Sequence, residues 1–233
     1  MGNQVHPTAV IGPGVELGAD TVIGPYAVLT GPCRIGDRTW IGAHAVIGAA
    51  PEIRGHEPGL PWGGHTDDLG VEIGDDSTVR EFATVHRGTR RPTRIGNRCF
   101  VMNKVHLGHD AVVGDDVTLA VSTILGGHVE VGDGANLGLA CVLHQRRIVG
   151  PGAMVGMSSV VTRDVPPFAK AFGAPARVRG VNEVGMVRRG IDSGDIAALA
   201  EYYGSDRPEP DSWTPPDNLA AAWEWWTART DAG

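Results

Sequence analysis

The chain has 233 residues, 34 of them glycine, with a net charge of −7 and 6% aromatic residues. The length accommodates one principal domain and a small second one, and the negative charge excludes nucleic-acid binding through a bulk basic surface. The cysteines Cys33, Cys99 and Cys141 form no CxxC pair, so we interpret them as reduced packing residues of a cytoplasmic protein. We expect no secretory signal and no stable membrane insertion, because no apolar run is long enough to span a bilayer.

An aliphatic residue recurs at every sixth position from the start of the chain. A helix requires a period of 3.6 and an ordinary strand a period of two, so neither explains this spacing. A six-residue repeat is typical of a parallel β-helix, in which each hexad forms one short strand and a turn and three hexads make one coil. Glycine follows most of the repeat residues and permits a corner that a Cβ would strain. The first repeat residues are Val5, Ile11, Leu17, Ile23, Leu29, Ile35, Ile41 and Ile47.

Two segments interrupt the repeat, and we predict both to be excursion loops. The first, 48–72, is rich in Pro, Gly, Trp and His and is too polar to form a coil wall. The second, 86–94, is longer than one hexad allows. Outside these loops the repeat continues through Ile73, Val79, Val85, Ile95, Val101, Leu107, Val113, Leu119, Leu125, Val131, Leu137, Leu143, Val149, Val155 and Val161. The sequence therefore predicts an all-β fold, a parallel β-helix over 1–167.

The repeat ends at Pro166 and Pro167, because prolines cannot continue a hydrogen-bonded ladder. Residues 168–233 are predicted to form a connector, over 168–180, and a short α-helical C-terminal region.

Two helices are predicted in this region. The first covers about 182–203, with a break at Gly190 and a new start at Asp192 or Ser193. The second covers about 218–229. We expect the helical tail to cap the open end of the prism and shield its edge, a role compatible with contact to substrate. The apolar face of the second helix consists of Leu219, Ala222, Trp223 and Trp226.

Residues 18 apart occupy the same edge of adjacent coils in such a fold. Leu107, Leu125 and Leu143 are therefore stacked, and Val85 joins them if the second loop replaces no hexad. The hexads of this column carry five of the nine histidines: His86, His106, His109, His128 and His144. Histidine suits proton transfer near neutral pH, and an aspartate directly after His109 could orient its imidazole. This edge is the candidate active site.

Several motifs resemble those of the UDP-N-acetylglucosamine O-acyltransferases, the family that begins lipid A synthesis. The resemblance covers about residues 5–190. Its most specific segments are His-Pro-Thr-Ala-Val-Ile-Gly at 6–12, His-Arg-Gly-Thr at 86–89, Asn103 to Asp110, Gly127-His128-Val129, His144-Gln145, Asp164 to Pro167, Gly180-Val181-Asn182 and Arg188-Arg189-Gly190.

The resemblance implies a left-handed β-helix, although parallel crossovers are ordinarily right-handed, and a homotrimer. It implies an acyltransferase that moves a hydroxyacyl chain from the phosphopantetheine of acyl carrier protein to the 3-hydroxyl of a UDP-amino sugar. It implies no metal and no cofactor apart from the acyl donor.

Residue roles follow from the same resemblance at matching positions. His109 is implied as the general base, Asp110 as the residue that holds its tautomer, and the Gly127 N–H as the oxyanion donor. Sugar and diphosphate binding is implied for His106, His128 and His144. Nucleotide binding is implied for Gln145, Asn182 and Arg189, and a position near the acyl donor for Arg188.

The chain departs from the family pattern in places. The first loop lacks the family's Asp-Leu-Lys-Tyr patch, for which Asp67 or Asp68 is a substitute, and it contains no lysine. Val184 stands where the family has an acidic residue. These departures bear on the identity of the acceptor sugar more than on the type of reaction.

Met157 stands where many of these transferases have glycine, at the far end of the acyl groove. The resemblance implies that a larger side chain here accompanies a medium or short acyl chain, since it fills the space of terminal methylenes. The alternative is that Met157 packs between coils.

A cluster of cations lies between residues 80 and 104, where Glu81 is the one acidic residue. The cations are Arg80, Arg87, Arg90, Arg91, Arg94, Arg98 and Lys104. We interpret Arg87, Arg90, Arg91, Arg94 and Lys104 as a docking surface for acyl carrier protein or for the phosphates of coenzyme A. A merely solvated face is the alternative.

Two other functions remain open from the sequence. One is an acyl- or acetyl-coenzyme A transferase acting on another amino sugar or small metabolite. The other is a zinc hydratase of the γ-carbonic anhydrase type, or a non-catalytic scaffold. Such hydratases have a close histidine pair with four residues between its members and a third, distant histidine, whereas His106 and His109 have two residues between them.

Overall fold

The computed structural model describes residues 2–62, 67–204 and 213–230. Their main feature is a three-sided prism in which short strands pair in parallel with the strands one coil above and below. The predicted parallel β-helix with a short α-helical C-terminal region is confirmed. No helix within the described ranges is long and apolar enough to cross a membrane.

The strands of the described residues form three sheets, one on each side of the prism. The first sheet contains β1 (Gln4–Val5), β4 (Val22–Ile23), β7 (Trp40–Ile41), β10 (Thr78–Val79), β13 (Phe100–Val101), β16 (Thr118–Leu119), β19 (Asn136–Leu137) and β22 (Met154–Val155). The second contains β2 (Val10–Ile11), β5 (Val28–Leu29), β8 (Val46–Ala49), β11 (Thr84–His86), β14 (His106–Leu107), β17 (Ile124–Leu125), β20 (Val142–Leu143) and β23 (Val160–Val161). The third contains β3 (Val15–Leu17), β6 (Cys33–Ile35), β9 (Val71–Ile73), β12 (Thr93–Ile95), β15 (Val112–Val113), β18 (Glu130–Val131) and β21 (Ile148–Val149).

The repeat residues stack inside the prism. Leu107 pairs with Val85 below it and with Leu125 above it, and Leu125 pairs with Leu143. All four side chains are buried. The second loop therefore replaces no hexad, and residues 18 apart are direct neighbours above it. Burial of such side chains is worth roughly 1.5–3 kcal/mol each, so this column is a major source of stability.

The three cysteines are part of the same core. Each is buried and has no disulfide partner. Burial raises the pKa of Cys33 to about 12 and those of Cys99 and Cys141 to about 11. Because the thiolate is the reactive form, these side chains are packing residues.

Both excursion loops are shorter than predicted. The first covers 50–70, because Gly48 and Ala49 remain in β8 and Val71 already pairs with Cys33 and Thr93. The second covers 87–92, because His86 completes β11 and Thr93 begins β12. In each case the flanking residues keep their hydrogen bonds to neighbouring coils. The strand before each loop therefore ends later than predicted, and the strand after it begins earlier.

The predicted end of the β-helix at Pro167 is also wrong. Val165 forms a parallel bridge with Val149, and β24 (Ala169–Gly173) pairs in parallel with β22. Pro166 and Pro167 occupy the corner between these pairs, where a ladder N–H is not needed. The predicted connector over 168–180 is therefore mostly a hairpin, which β25 (Ala176–Val181) completes in antiparallel orientation.

Within the described ranges three helices follow the hairpin: α1 (Glu183–Arg188), α2 (Ser193–Gly204) and α3 (Asp217–Thr230). The first two lie within the predicted 182–203 segment and are separated around Gly190, whose φ is positive at 72°. A second apolar cluster joins the helices to the last coil through Phe168, Met186, Ile196, Leu199, Leu219 and Trp223. The helical tail thus has its own small core at one end of the prism.

Replacement of Val113 by alanine tests the inward stack. Val113 is buried in β15, whereas its neighbour Val112 points outward and is half-buried. We expect Val113→Ala to lower the free energy of unfolding in urea by about 2 kcal/mol, because it leaves a cavity between coils. The matched control, Val112→Ala, should cost less than about 1 kcal/mol, and equal losses would contradict the assigned orientation.

Candidate active site

The corner between the second and third sheets brings the predicted catalytic residues together. We call it the histidine edge, formed by 108–110, 126–128 and 144–146 in successive coils. Backbone hydrogen bonds fix its register: the His128 N–H donates to the His109 carbonyl at 2.9 Å, and the Arg146 N–H to the Gly127 carbonyl at 2.9 Å. His109, Asp110, Gly127 and His128 therefore lie side by side as predicted.

Asp110 is the buried anchor of this edge, with no exposed surface. Its Oδ1 accepts the backbone N–H groups of Thr89, Arg90 and Arg91 at 2.9, 2.7 and 3.0 Å. Its Oδ2 accepts the Thr89 hydroxyl at 3.0 Å and His109 Nδ1 at 2.7 Å. Burial alone would raise the pKa of Asp110, but the bonds from His109 and the three N–H groups together hold that pKa well below its usual range.

The ionised Asp110 determines the tautomer of His109. A carboxylate can only accept hydrogen bonds, so the Nδ1 of His109 carries the proton that it donates to Oδ2. The neutral imidazole consequently has its lone pair on Nε2. The ring is largely buried but not sealed from solvent. This arrangement is that of an oriented general base.

His128 stands against His109 from the next coil. The two rings make an edge-to-face contact with centroids 5.0 Å apart, and His128 Nε2 lies 3.7 Å from Asp110 Oδ2. Burial lowers the pKa of His128, although Asp110 acts in the opposite direction. A neutral His128 can both donate and accept a hydrogen bond toward a bound polar group.

Gly127 is required beside His109. A Cβ at this position would lie 2.8 Å from His109 Nε2, so any side chain would displace the base. Its carbonyl accepts the Arg146 N–H, while its own N–H has no acceptor among the described residues. An unused N–H close to a base is a suitable oxyanion donor.

The other histidines of the predicted column, which are His86, His106 and His144, lie away from His109. His86 and His106 form a pair, and His144 stands alone. His86 and His106 contact each other with centroids 5.0 Å apart on the outer side of the second sheet. Glu52, from the first loop, lies 3.0 Å from His106 Nε2 and 3.7 Å from His86 Nε2. Burial lowers the pKa of His106 despite the opposite effect of Glu52. The six-residue spacing does not predict the position of Glu52, because a loop residue lies outside the register of the repeat.

Two groups on this side of the prism have metal-ligating atoms within 4.8 Å of one another: Glu52 with His86 and His106, and His109 with Asp110 and His128. In the second group every Asp110 oxygen already accepts hydrogen bonds. In the first, His86 Nδ1 bonds to the Ala50 carbonyl at 2.6 Å, which turns Nε2 toward Glu52. The ligating atoms of the first group contact one another as well, since Glu52 lies 3.0 Å from His106 Nε2 and 3.7 Å from His86 Nε2.

Four predicted substrate-binding residues lie apart from the His109–Asp110 pair. His144 and Gln145 are exposed on the histidine edge, one coil above His128. Asn182 and Arg189 lie at the corner between the third and first sheets. There Asn182 donates to the Gly152 carbonyl at 2.9 Å and caps α1, and Arg189 donates to the Asp133 carbonyl at 3.4 Å.

Within one protomer, therefore, Asn182 and Arg189 lie at a different corner of the prism from His109. The adjacent Arg188 is exposed on α1.

The predicted docking cluster is less positive in the structure. Arg87 is buried and pairs with Asp68 at 2.9 Å, so neither residue is available for a partner or for the acceptor. Arg94 pairs with Glu72 at 3.0 Å and Arg91 with Glu130 at 2.7 Å. Arg80 and Arg98 are paired with nearby carboxylates as well. Arg90 and Lys104 are the exposed members for which the described contacts show no ion pair.

Met157 does not pack between coils. Its side chain is 69% exposed at the corner between the first and second sheets. The outward side chains of the second sheet above His106 are also apolar and exposed, and they form a column of Ile124, Val142 and Val160. An apolar surface thus extends upward from the His86–His106 pair on the same side of the prism as Met157.

Comparison with known proteins identifies relatives of this chain. Residues 164–205 match the family model described as UDP-N-acetylglucosamine O-acyltransferase, domain 2, and residues 1–31 match that of the bacterial transferase hexapeptide. An acyl-[acyl-carrier-protein]–UDP-N-acetylglucosamine O-acyltransferase of Syntrophobacter fumaroxidans is 40% identical over 86% of this chain and 83% of its own length. The enzyme of the same name from Saccharophagus degradans is 46% identical over 86% of this chain and 76% of its own length.

Solved structures agree with the sequence relatives. The UDP-N-acetylglucosamine acyltransferase from Campylobacter jejuni superposes with a TM-score of 0.75 and 30% identity, covering 95% of each chain. That from Bacteroides fragilis gives a TM-score of 0.76 and 26% identity over 96% of this chain and 94% of its own. The described geometry, a histidine edge on a hexapeptide-repeat prism, and these relatives lead to one assignment: the chain is an acyltransferase and belongs to the acyl-[acyl-carrier-protein]–UDP-N-acetylglucosamine O-acyltransferase family.

Proposed function

We propose that this protein transfers a (hydroxy)acyl chain from acyl carrier protein to the 3-hydroxyl of UDP-N-acetylglucosamine, with His109 as general base. The observation that carries the proposal is the His109–Asp110 pair, with Nδ1 to Oδ2 at 2.7 Å, beside the unused N–H of Gly127. The relatives that share most of the chain's length bear the name of this reaction.

The reaction follows from these three groups. His109 Nε2 takes the proton of the sugar hydroxyl as its oxygen attacks the thioester carbonyl. The Gly127 N–H stabilises the oxyanion, which is typically worth about 3 kcal/mol. Collapse of the intermediate breaks the carbon–sulfur bond and forms the ester, and the proton held by His109 goes to the departing phosphopantetheine thiolate. Asp110 stabilises the imidazolium throughout. No metal or further cofactor enters these steps.

The substrate-binding residues surround this centre in the proposed complex. His106, His128 and His144 bind the sugar and diphosphate, and Gln145, Asn182 and Arg189 bind the nucleotide. Arg188 lies near the acyl donor. The exposed Arg90 contributes to docking of acyl carrier protein, with Arg91 and Arg94 at the margin because both are paired. Lys104 does not join this surface, because it lies at the corner between the first and second sheets, which the homotrimer proposed below turns toward its axis. Arg87 is withdrawn from this set because it is buried.

A homotrimer completes the site. The outward side chains of the third sheet are mainly charged, whereas those of the first and second sheets include exposed Phe100, Ile124, Val142 and Val160. Apolar faces of this kind mark contact surfaces. Packing the second sheet of one subunit on the first sheet of the next brings His109 opposite the neighbour's corner that carries Asn182 and Arg189. We further propose a cytoplasmic location, where both substrates carry their charged groups in water.

A coenzyme A-dependent transferase is the alternative donor chemistry, since both donors present phosphopantetheine. Thioester consumption should be measured with UDP-N-acetylglucosamine and with a panel of other sugar nucleotides, each with acyl carrier protein and with coenzyme A as donor. The proposal requires the highest kcat/KM for acyl carrier protein with UDP-N-acetylglucosamine. Preference for acyl-coenzyme A or for another acceptor would overturn that part of it.

Replacement of His109 tests the general base. We expect His109→Ala to reduce kcat by more than about a hundredfold while the protein remains folded, because general-base catalysis supplies about 10²–10⁴-fold. Circular dichroism and thermal unfolding serve as the folding control. A variant with near-normal turnover would remove His109 from this role.

The shared site is tested by mixing inactive subunits. Light scattering should give about three times the chain mass of 24.5 kDa, and His109→Ala and Arg189→Ala should each be strongly impaired. In trimers assembled from an equal mixture of the two variants, a site is intact when one subunit supplies His109 and its neighbour supplies Arg189. Each condition is met with a chance of about one half, so about a quarter of the sites are intact. Activity should return to about that share of wild type. A monomeric mass, or mixtures as inactive as the single variants, would contradict the trimeric site.

Acyl-chain length is tested at Met157. The exposed Met157 lies beside the apolar surface of the second sheet and would stop an acyl chain there, since each methylene left unburied loses roughly 0.8 kcal/mol. Wild type should prefer a medium or short chain, and Met157→Gly should shift the optimum of kcat/KM to longer thioesters. Leu139→Gly, one coil below, is the matched control for general loosening of the corner. An unchanged length profile in Met157→Gly would refute the proposal.

A further inference from the structure

The second loop, 87–92, positions the catalytic pair but is itself held by a side-chain bridge. Three of its backbone N–H groups fix Asp110, as described above. Arg91 adds a contact from its side chain, because its Nε donates to the Asp110 carbonyl at 2.9 Å. The other end of the same guanidinium leaves the loop: its Nη1 donates to Glu130 Oε1 at 2.7 Å.

Glu130 connects this loop to the C-terminal helix. Its second oxygen, Oε2, accepts Arg229 Nε at 2.7 Å, from the last turn of α3. Arg229 is held in turn by its own helix, since Nη1 donates to the Trp225 carbonyl at 3.1 Å and the guanidinium lies 4.0 Å from the Trp225 ring centroid. The Glu130 side chain is only 18% exposed between the two arginines. We call these three residues the Arg91–Glu130–Arg229 clasp.

The clasp forms a continuous path to the base. Arg229 on α3 contacts Glu130 on β18, Glu130 contacts Arg91, and Arg91 contacts both the carboxylate and the carbonyl of Asp110. Asp110 then orients His109. Each step is a charge-assisted or backbone hydrogen bond of 2.7–3.0 Å, which is short enough to transmit a displacement of one group to the next.

We infer that Glu130 and Arg229 are positioning residues for the catalytic pair, so that the C-terminal helix takes part in catalysis through the Arg91–Glu130–Arg229 clasp. Neither residue belongs to the sites proposed above, and the inference depends on the proposed function for its kinetic consequences. The clasp places the Arg91 N–H at Asp110 and thereby holds His109 Nε2 in line with the substrate hydroxyl.

The rest of α3 has its own attachment to the protein. Leu219 and Trp223 are buried in the second apolar cluster, away from the clasp. Loss of the Glu130 carboxylate should therefore leave the helix docked and release mainly Arg91. This separation makes the catalytic effect distinguishable from loss of the tail.

The chain offers a closely matched control. Glu72 occupies the same outward column of the third sheet as Glu130, and it also pairs with an arginine, Arg94, at 3.0 Å. The Glu72–Arg94 pair makes no described contact with Asp110. Glu72→Gln and Glu130→Gln thus remove the same charge from the same sheet face, and only the latter disturbs the clasp.

Steady-state kinetics give the first test. We expect Glu130→Gln and Arg229→Gln to lower kcat by about tenfold, since small displacements of a catalytic group cost up to about a hundredfold. KM for both substrates should change by less than about twofold. Glu72→Gln should keep the wild-type kcat. Equal kinetic effects of Glu130→Gln and Glu72→Gln would overturn the inference.

A double-mutant cycle with Asp110 separates positioning from general destabilisation. If Glu130 acts through Asp110, Glu130→Gln should lower kcat by less than about twofold in an Asp110→Asn background. A full tenfold loss in that background would show independent effects and would refute the clasp.

Hydrogen–deuterium exchange tests the clasp without reference to catalysis. The amides of residues 89–91 are bonded to Asp110, so they should exchange faster in Glu130→Gln and in Arg229→Gln than in wild type or Glu72→Gln. Unchanged exchange would refute the clasp even if activity fell. Faster exchange in a protein inactive on UDP-N-acetylglucosamine would support the clasp and refute the proposed function.

Discussion

The parallel register of the coils is the constraint on which the rest of the structure depends. Each inward aliphatic residue must lie on the residue one coil below, as Leu125 lies on Leu107, because a shift of one residue would turn the core side chains outward. This requirement fixes residues 18 apart as neighbours along every face and corner. The histidine edge is a direct consequence, since His109 and Gly127 are one coil apart and their neighbours Asp110 and His128 follow.

The catalytic pair uses two kinds of support that differ in rigidity. The coils supply His109, Gly127 and His128 from corners that cannot move without breaking the core. Asp110 depends in addition on the 87–92 loop, whose N–H groups satisfy its buried carboxylate. A buried charge without such partners would be strongly unfavourable, so the loop is a condition for an ionised Asp110. The loop that interrupts the repeat thus supplies the N–H groups that Asp110 requires on the histidine edge.

Ion pairs within the protein also support the site. Most arginines between residues 80 and 104 are paired with carboxylates within the protein, including Arg87 with Asp68 and Arg98 with Asp116. Paired arginines hold loops and faces in position, whereas the exposed Arg90 is available to a charged partner. The C-terminal helix enters this system through Arg229, which shares Glu130 with Arg91. The helical tail is therefore joined to the prism by charge on one side and by the Leu219–Trp223 cluster on another.

The sequence by itself determined the prism and the histidine edge, because a strict six-residue period permits one stacking arrangement and converts spacing directly into position. His109, Asp110, Gly127 and His128 could be placed together for that reason. Only the tertiary structure decided what lies outside the period: Glu52 beside His106, the pairing of Arg87 with Asp68, and the contact of Arg229 with Glu130, 99 residues away. The continuation of the ladder past Pro167 belongs to the same group, since the prolines occupy a corner rather than a strand. Loops and tails follow no repeat, so their contacts depend on which buried charges and apolar surfaces the finished prism leaves to be satisfied.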